Sequence, residues 1–154
     1  MTAVANAIDR ASANSPFLGG LMDRNPDLME YIRAGDLEAA LESALNRTGE
    51  SMGSALRRQR QGVALVTALA DLAGIWDLTR VTRILSDFAD HALDQAIATA
   101  IEERVPGAPN QGFAVIGLGK HGGRELNYSS DIDPIFLFDP QTLPHRERDD
   151  VAEA

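Results

Sequence analysis

The chain has 154 residues, with 14 basic side chains against 23 acidic ones and a formal net charge of −9 at neutral pH. No broad basic face is available to release counterions, which excludes a general nucleic-acid binder and disfavours docking on anionic lipid. Cysteine is absent, so disulfides, cysteine-ligated zinc and thiol catalysis are excluded as well. Hydrophobic residues make up 44%, enough for a folded core rather than a disordered chain. The length suits one domain, or one plus part of another. No apolar run reaches the roughly 18 residues of a membrane span. Met1 to Arg10 has no basic region followed by an apolar stretch, so no signal peptide is expected. The expectation is a soluble, cytoplasmic chain.

Residues 1–14 are rich in Ala, Asn and Ser with little periodicity, and are expected to be a mobile start. Ser15-Pro16 then sets a cap before a first-turn proline, and Asn25-Pro26 repeats the signal. Leu18, Leu21 and Met22 follow the first; Leu28, Met29 and Ile32 follow the second. Gly35 closes that helix and Asp36 caps the next, whose stripe is Leu37, Ala40, Leu41, Ala44 and Leu45. Ser51 opens a longer segment with Met52, Leu56, Val63, Val66 and Leu69 on one face. Its cluster Arg57, Arg58, Arg60 reads most simply as a solvated face. Gly74 breaks the segment, Trp76 is a packing residue at the junction, and Asp77 caps a long amphipathic helix ending before Pro106. His91 stands alone on it, without a second ligand at helical spacing, and reads as a boundary residue. The helical region is thus expected over 15–105.

Val105 to Asn110, with two prolines and a glycine, is the clearest boundary. Beyond it the pattern turns strand-like: Phe113 to Ile116, four glycines between 117 and 123, a polar stretch, then Ile135 to Phe138. His145 to Ala154 reads as a loop or frayed end. Two explanations compete for residues 113–139. Gly117, Gly119 and Gly122 match GxGxxG, with Asp139 placed near where an acid would meet a ribose, as in a Rossmann site. That site needs a packed crossover helix, and the stretch from Lys120 to Ser130 has two glycines and only Leu126 and Tyr128 as sizeable apolar residues. The other explanation rests on Asp131 and Asp133 at the head of an apolar strand. At i and i+2 they share a face, with Cα atoms about 6.6–7 Å apart. Like charges converging to 4 Å repel by about 4 kcal/mol at an effective dielectric of 20, which a divalent cation relieves. Mg²⁺ fits, because it is held by one or two carboxylates plus phosphate oxygens. Gly119, Gly122 and Gly123 let backbone N–H groups approach phosphates, Lys120 adds a point charge, and Ser129 and Ser130 add donors. A tight glycine hairpin with incidental exposed acids is the plainer alternative.

The order of strand, Gly119-Lys120, then Asp131-Ile132-Asp133 resembles the DNA-polymerase-β-like nucleotidyltransferases, with Lys120 where most members have serine. Within that superfamily, GLGKHGGRELNYSSDIDPIFLFD is similar to the GLGKLGGRELNYSSDIDLIFLYD segment of the glutamine synthetase adenylyltransferases. SPFLGGLMDRNPDL and DLAGIWDLTRVTRILSDFAD also look like the region preceding that motif. The resemblance implies an α+β fold: a helical N-terminal region, then the first β-turn-β unit of a nucleotidyltransferase domain over 112–154, incomplete and part of a longer protein. It implies Asp131 and Asp133 as catalytic metal ligands for Mg²⁺, and Gly119, Lys120, Gly122, Gly123, Ser129 and Ser130 as nucleotide- or phosphate-binding residues. The Asn127-Tyr128-Ser129-Ser130 version is similar to the adenylyl-removing domain, which takes AMP from a tyrosine of glutamine synthetase by phosphorolysis and releases ADP; a second domain adds AMP from ATP. Glutamine synthetase, the PII signalling protein and glutamine are the implied partners, and nitrogen regulation the implied setting. A Rossmann-type binder or a non-catalytic helical interaction module are the alternatives. His121 and Pro134 depart from the family pattern, each replacing leucine. The first is expected to alter loop packing only, the second to remove a ladder donor and weaken the strand.

Overall fold

A computed structural model describes residues 2–145. Among them are six helices, then a two-stranded antiparallel sheet whose strands are joined through a short seventh helix. The helices are α1 (Ala3–Asn14), α2 (Pro16–Arg24), α3 (Pro26–Ala34), α4 (Leu37–Leu45), α5 (Met52–Leu72), α6 (Leu78–Arg104) and the short α7 (Gly119–Gly122); the strands are β1 (Phe113–Gly117) and β2 (Pro134–Phe138). This is the expected α+β arrangement, helices first and a β-turn-β unit after. The tail from 146 lies outside the described residues.

Cap chemistry sets most helix starts. The side chains of Ser15, Asp36 and Asp77 each accept from the backbone N–H three residues on, and Ser51 forms a reciprocal capping box with Ser54. Gly35 ends α3 in the left-handed conformation, φ 82°. Helix α5 is the hub. Val63, Leu65, Val66 and Leu69 are fully buried along it, packed with Leu21, Leu28, Met29, Ile32 and Val81. Gly62 lets α4 approach: a Cβ there would stand 2.8 Å from that of Ala44. Trp76 is buried at the α5–α6 junction, with the Arg80 guanidinium 4.3 Å from its ring centroid.

One expectation fails outright. Residues 3–14 are not an aperiodic mobile start but a helix capped by Thr2, with Val4, Ala7 and Ala11 buried. Its inward face is built of small residues, so the usual signature of bulky apolar periodicity is missing.

Strand β1 pairs with β2 in the register Phe113↔Phe138 to Gly117↔Pro134. The Leu118 N–H donates to the Asp133 carbonyl and the Asp139 N–H to the Gly112 carbonyl. Those hydrogen-bonded pairs alternate with pairs whose backbone groups point away from each other, and Gly117↔Pro134 is one of the latter. The donor that proline lacks would therefore face the outer edge of β2, not β1. The expected loss of a β1–β2 ladder bond does not occur, because proline sits at the first strand position with its nitrogen turned outward. One sheet face, with Phe113 and Phe136 at 5.8 Å between ring centroids, looks toward Leu93, Ile97 and Ile101 of α6. The other leaves Ile116, Leu118, Ile135 and Leu137 exposed.

Candidate functional site

The turn between the strands is made by close backbone packing. Gly119 begins it in the left-handed region, φ 55°, where a side chain would be strained. A Cβ on Gly122 would lie 2.4 Å from the Gly117 carbonyl oxygen, so any side chain there would force the turn open. Gly122 therefore has a steric reason to be glycine, independent of any phosphate. Lys120 is exposed on α7, and its side chain has no ion-pair partner among the described residues.

Antiparallel pairing and a four-residue α7 leave no room for a Rossmann crossover here. Asp139, the acid that reading would have used, caps its own turn. Its carboxylate accepts from the Gln141 N–H at 3.0 Å and the Thr142 hydroxyl at 2.8 Å, and these bonds, the Gln141 one foremost, hold its pKa below the ordinary range.

Asp131 and Asp133 both lie in the segment leading into β2, and both are exposed. Asp133 has its carbonyl tied to Leu118, so it continues the ladder and shares the open sheet face with Ile135 and Leu137. Asp131 lies beside Ser129 and Ser130 on a groove of ≈ 840 Å³ between α2, α5, α6 and the segment 126–132. Ser130 is spent locally: its hydroxyl donates to the Asn127 side-chain oxygen at 3.0 Å and accepts from the Asn127 N–H at 3.0 Å. Ser129 donates its N–H to that same side-chain oxygen. The two carboxylates are hard oxygen donors of the kind Mg²⁺ takes. No group of three or more acidic or histidine side chains that could hold a metal occurs among the described residues, so further oxygens would have to come from a phosphate, water or other parts of a chain. Arg60 of the solvated-arginine cluster reaches the same groove, whereas Arg58 is turned to the Thr48 carbonyl at 3.1 Å.

The segment is fastened to the helices by polar contacts that sequence reasoning missed. His121 is buried, with Nε2 2.7 Å from Oδ1 of Asp90 on α6; it is a docking residue rather than a neutral change in loop packing. Arg124 pairs with Asp87 and reaches Oδ2 of Asp90 at 3.4 Å. It is the only non-glycine residue with positive φ among those described, at 57°. That conformation costs an L-residue about 1–2 kcal/mol. The Leu126 N–H donates to the Ser86 hydroxyl at 3.3 Å. Tyr128 leans on α5, its hydroxyl donating to Asp71 at 3.4 Å; burial first, then the Asp71 charge, push its pKa up to about 12. The only signal for these contacts lay in acids at 87 and 90 on a helix face otherwise read as amphipathic.

A glycine-rich β-turn-β unit with two carboxylates at the head of its second strand is what the nucleotidyltransferase resemblance predicts. Comparison with known proteins then gives the family. A model of the glutamate-ammonia ligase adenylyltransferases matches residues 5–154, and the chain belongs to that family. It is 36% identical over 154 residues to a bifunctional glutamine synthetase adenylyltransferase/adenylyl-removing enzyme of Caulobacter vibrioides, covering 88% of this chain and 16% of the relative. It is 38% identical over 152 residues to the protein so named in Xanthobacter autotrophicus, covering 86% and 15% respectively. The counterpart in Rhizobium meliloti is 33% identical over 168 residues, covering 93% and 17%. The chain thus spans about a sixth of the length of these relatives. No solved structure matches it. No helix among the described residues is long and apolar enough to cross a membrane.

Proposed function

We propose that this chain contributes the helical scaffold and the metal-binding hairpin of an adenylyl-removing site that acts on glutamine synthetase. The observation that carries the reading is the placement of Asp131 and Asp133, exposed and two residues apart, where the turn is bonded back onto the entry to β2. In the reaction, an oxygen of inorganic phosphate bonds to the adenylyl phosphorus. The bond from that phosphorus to the tyrosine oxygen breaks, the tyrosine oxygen takes up a proton, and ADP departs. Mg²⁺ held by Asp131 and Asp133 would supply charge neutralisation at the phosphoryl oxygens. Lys120, exposed at the turn, is suited to orient a phosphate oxygen, and the N–H groups of Gly119 and Lys120 in the first turn of α7 to approach it; those of Gly122 and Gly123 are taken by the Leu118 and Gly119 carbonyls, so these two glycines shape the turn instead. Ser129 and Ser130 support this arrangement by fixing the turn ahead of Asp131. ATP-dependent adenylylation, and regulation by the PII signalling protein and glutamine, belong to the whole family architecture; no described residue is assigned to them. A cytoplasmic enzyme controlling nitrogen assimilation follows from the same reading.

The test replaces the matched segment of the Caulobacter vibrioides relative with this chain. Phosphate-dependent ADP release from adenylylated glutamine synthetase is then measured. Asp131→Asn or Asp133→Asn should each lower the rate about 10²-fold or more, as expected when a group stabilising transferring charge is lost. Retained phosphorolysis in either variant would sink the assignment. The 154-residue chain by itself should release little or no ADP; a rate near that of the chimera would show that the site is already complete.

A further inference from the structure

We infer that Asp87 and Asp90 of α6, acting through Arg124 and His121, are positioning residues for the Asp131–Asp133 site; the inference rests on the metal-binding reading above. Three residues of the turn are fastened to little more than one helical turn of α6. His121 Nε2–H donates to one oxygen of Asp90, at 2.7 Å, while the other oxygen of Asp90 takes a contact from Arg124 at 3.4 Å. Arg124 also pairs with Asp87, one helical turn earlier. The Leu126 N–H reaches Ser86, whose hydroxyl is itself anchored on the Thr82 carbonyl at 2.8 Å. The turn is closed on its far side by the bond from Leu118 to Asp133. Displacing residues 121–126 from α6 therefore moves the strand entry that carries both carboxylates.

Two observations argue that orientation, not stability, explains the Arg124 contacts; the buried His121 still finds an oxygen acceptor when Asp90 becomes asparagine. The Arg124 side chain is 51% exposed and its partners Asp87 and Asp90 are 54% and 48% exposed. Ion pairs that open to solvent add little to global stability. Arg124 nonetheless occupies a left-handed backbone position in which glycine would be unstrained. That left-handed turn is the ordinary close of α7, with the Glu125 N–H on the Lys120 carbonyl at 2.7 Å and the Arg124 N–H on the His121 carbonyl at 3.0 Å; what sets it apart is arginine where glycine is usual, and the reach of that side chain to Asp87 and Asp90 accounts for the choice.

The experiment uses the 154-residue chain with Mn²⁺ as probe, read by paramagnetic broadening of the amides of residues 129–133. Asp87→Asn combined with Asp90→Asn should weaken apparent Mn²⁺ binding about tenfold, the loss typical when the support of a metal ligand is removed. The thermal midpoint should stay within about 2 °C. Arg124→Gly relieves the backbone, so it should hold or raise the midpoint while weakening Mn²⁺ to the same degree. Exchanging the charges, Asp87→Arg with Arg124→Asp, should recover part of the affinity relative to Arg124→Asp alone, since aspartate tolerates the left-handed region while the contact to Asp90 is not restored. Unchanged Mn²⁺ affinity in the double variant and in Arg124→Gly would overturn the inference. So would affinity and midpoint falling together in every variant without recovery by the exchange, which is the signature of a merely structural contact. If the parent shows no Mn²⁺ broadening, the two carboxylates do not hold the ion without further oxygens, and the metal reading is decided by the Asp131→Asn and Asp133→Asn chimeras instead. Amide exchange at Leu118 and Leu126 then decides the positioning: about tenfold acceleration in the variants is expected, and unchanged exchange refutes it.

Discussion

The helices α2–α6 and the β1–β2 hairpin are held by opposite means. The helical part buries Leu21, Leu28, Ile32, Leu65 and Leu69 to zero exposure, and its polar groups mostly decorate the rim. The hairpin buries little: Ile116, Ile135, Phe136, Leu137 and Phe138 are all exposed by more than two-fifths. Its attachment to the helices runs instead through histidine, arginine, serine and tyrosine contacts to α5 and α6. Apolar burial is non-directional and scales with area, so it makes a stable body. Hydrogen bonds and ion pairs add less stability but set angles. A chemical site placed on the second kind of attachment acquires orientation from a scaffold stabilised by the first.

The contrast can be broken most strongly from the helical side. Leu69→Ala should cost about 2–5 kcal/mol, because a fully buried leucine leaves a cavity as well as losing its transfer energy. Circular dichroism at the helical band should show one melt shifted down, with the hairpin lost in step. Gly122→Ala attacks the other region. Its Cβ meets the Gly117 carbonyl oxygen, and forcing it in should cost about 1–3 kcal/mol of hairpin stability. Backbone amide shifts of residues 113–138 should collapse toward random-coil values while the helical melt stays put. A joint loss would show that the two regions do not separate.

Finer effects come from titration. The Tyr128 pKa is raised from 10.0 to about 12, so its docking contribution is fully present below pH 10 and is lost as pH climbs through about 12. Ultraviolet absorbance should show a phenol ionising late, together with loosening of residues 126–132; Tyr128→Phe should remove both. On the acid side, burial acts to raise the Asp27 pKa, but the hydrogen bond and charge of Arg47 outweigh it and hold it low. The stability this gives is present above the unfolded-state pKa and is lost as pH falls through the folded one. With the Asp27 side chain 56% exposed, Asp27→Asn should cost only about 0.2–1 kcal/mol in urea unfolding at pH 7, and nothing measurable once the wild-type carboxyl is protonated.

The helix starts were legible because capping is local. Ser15, Asp36, Ser51 and Asp77 act on amides three residues away, and that spacing is written in the sequence. α1 escaped notice because Ala7 and Ala11 pack as well as leucine where a neighbour comes close, yet carry no periodic weight in a sequence. The position of Asp131 and Asp133 at the head of β2 was legible for the same local reason as the caps. The contacts that tie the turn to α6 were not: Asp90 meets His121 across 31 residues, and Ser86 meets Leu126 across 40. Nothing in the acids of an exposed helix face distinguishes those that grip a distant turn from those that only meet water.

Pro134 has one more consequence. Along the outer edge of β2 the backbone groups of residues 134, 136 and 138 face outward, and the first of these offers no hydrogen. A strand laid on that edge can draw donors from Phe136 and Phe138 but finds a blank beside Asp133. The edge is thus graded: pairing along it is supported toward Phe138 and interrupted at the end next to Asp133.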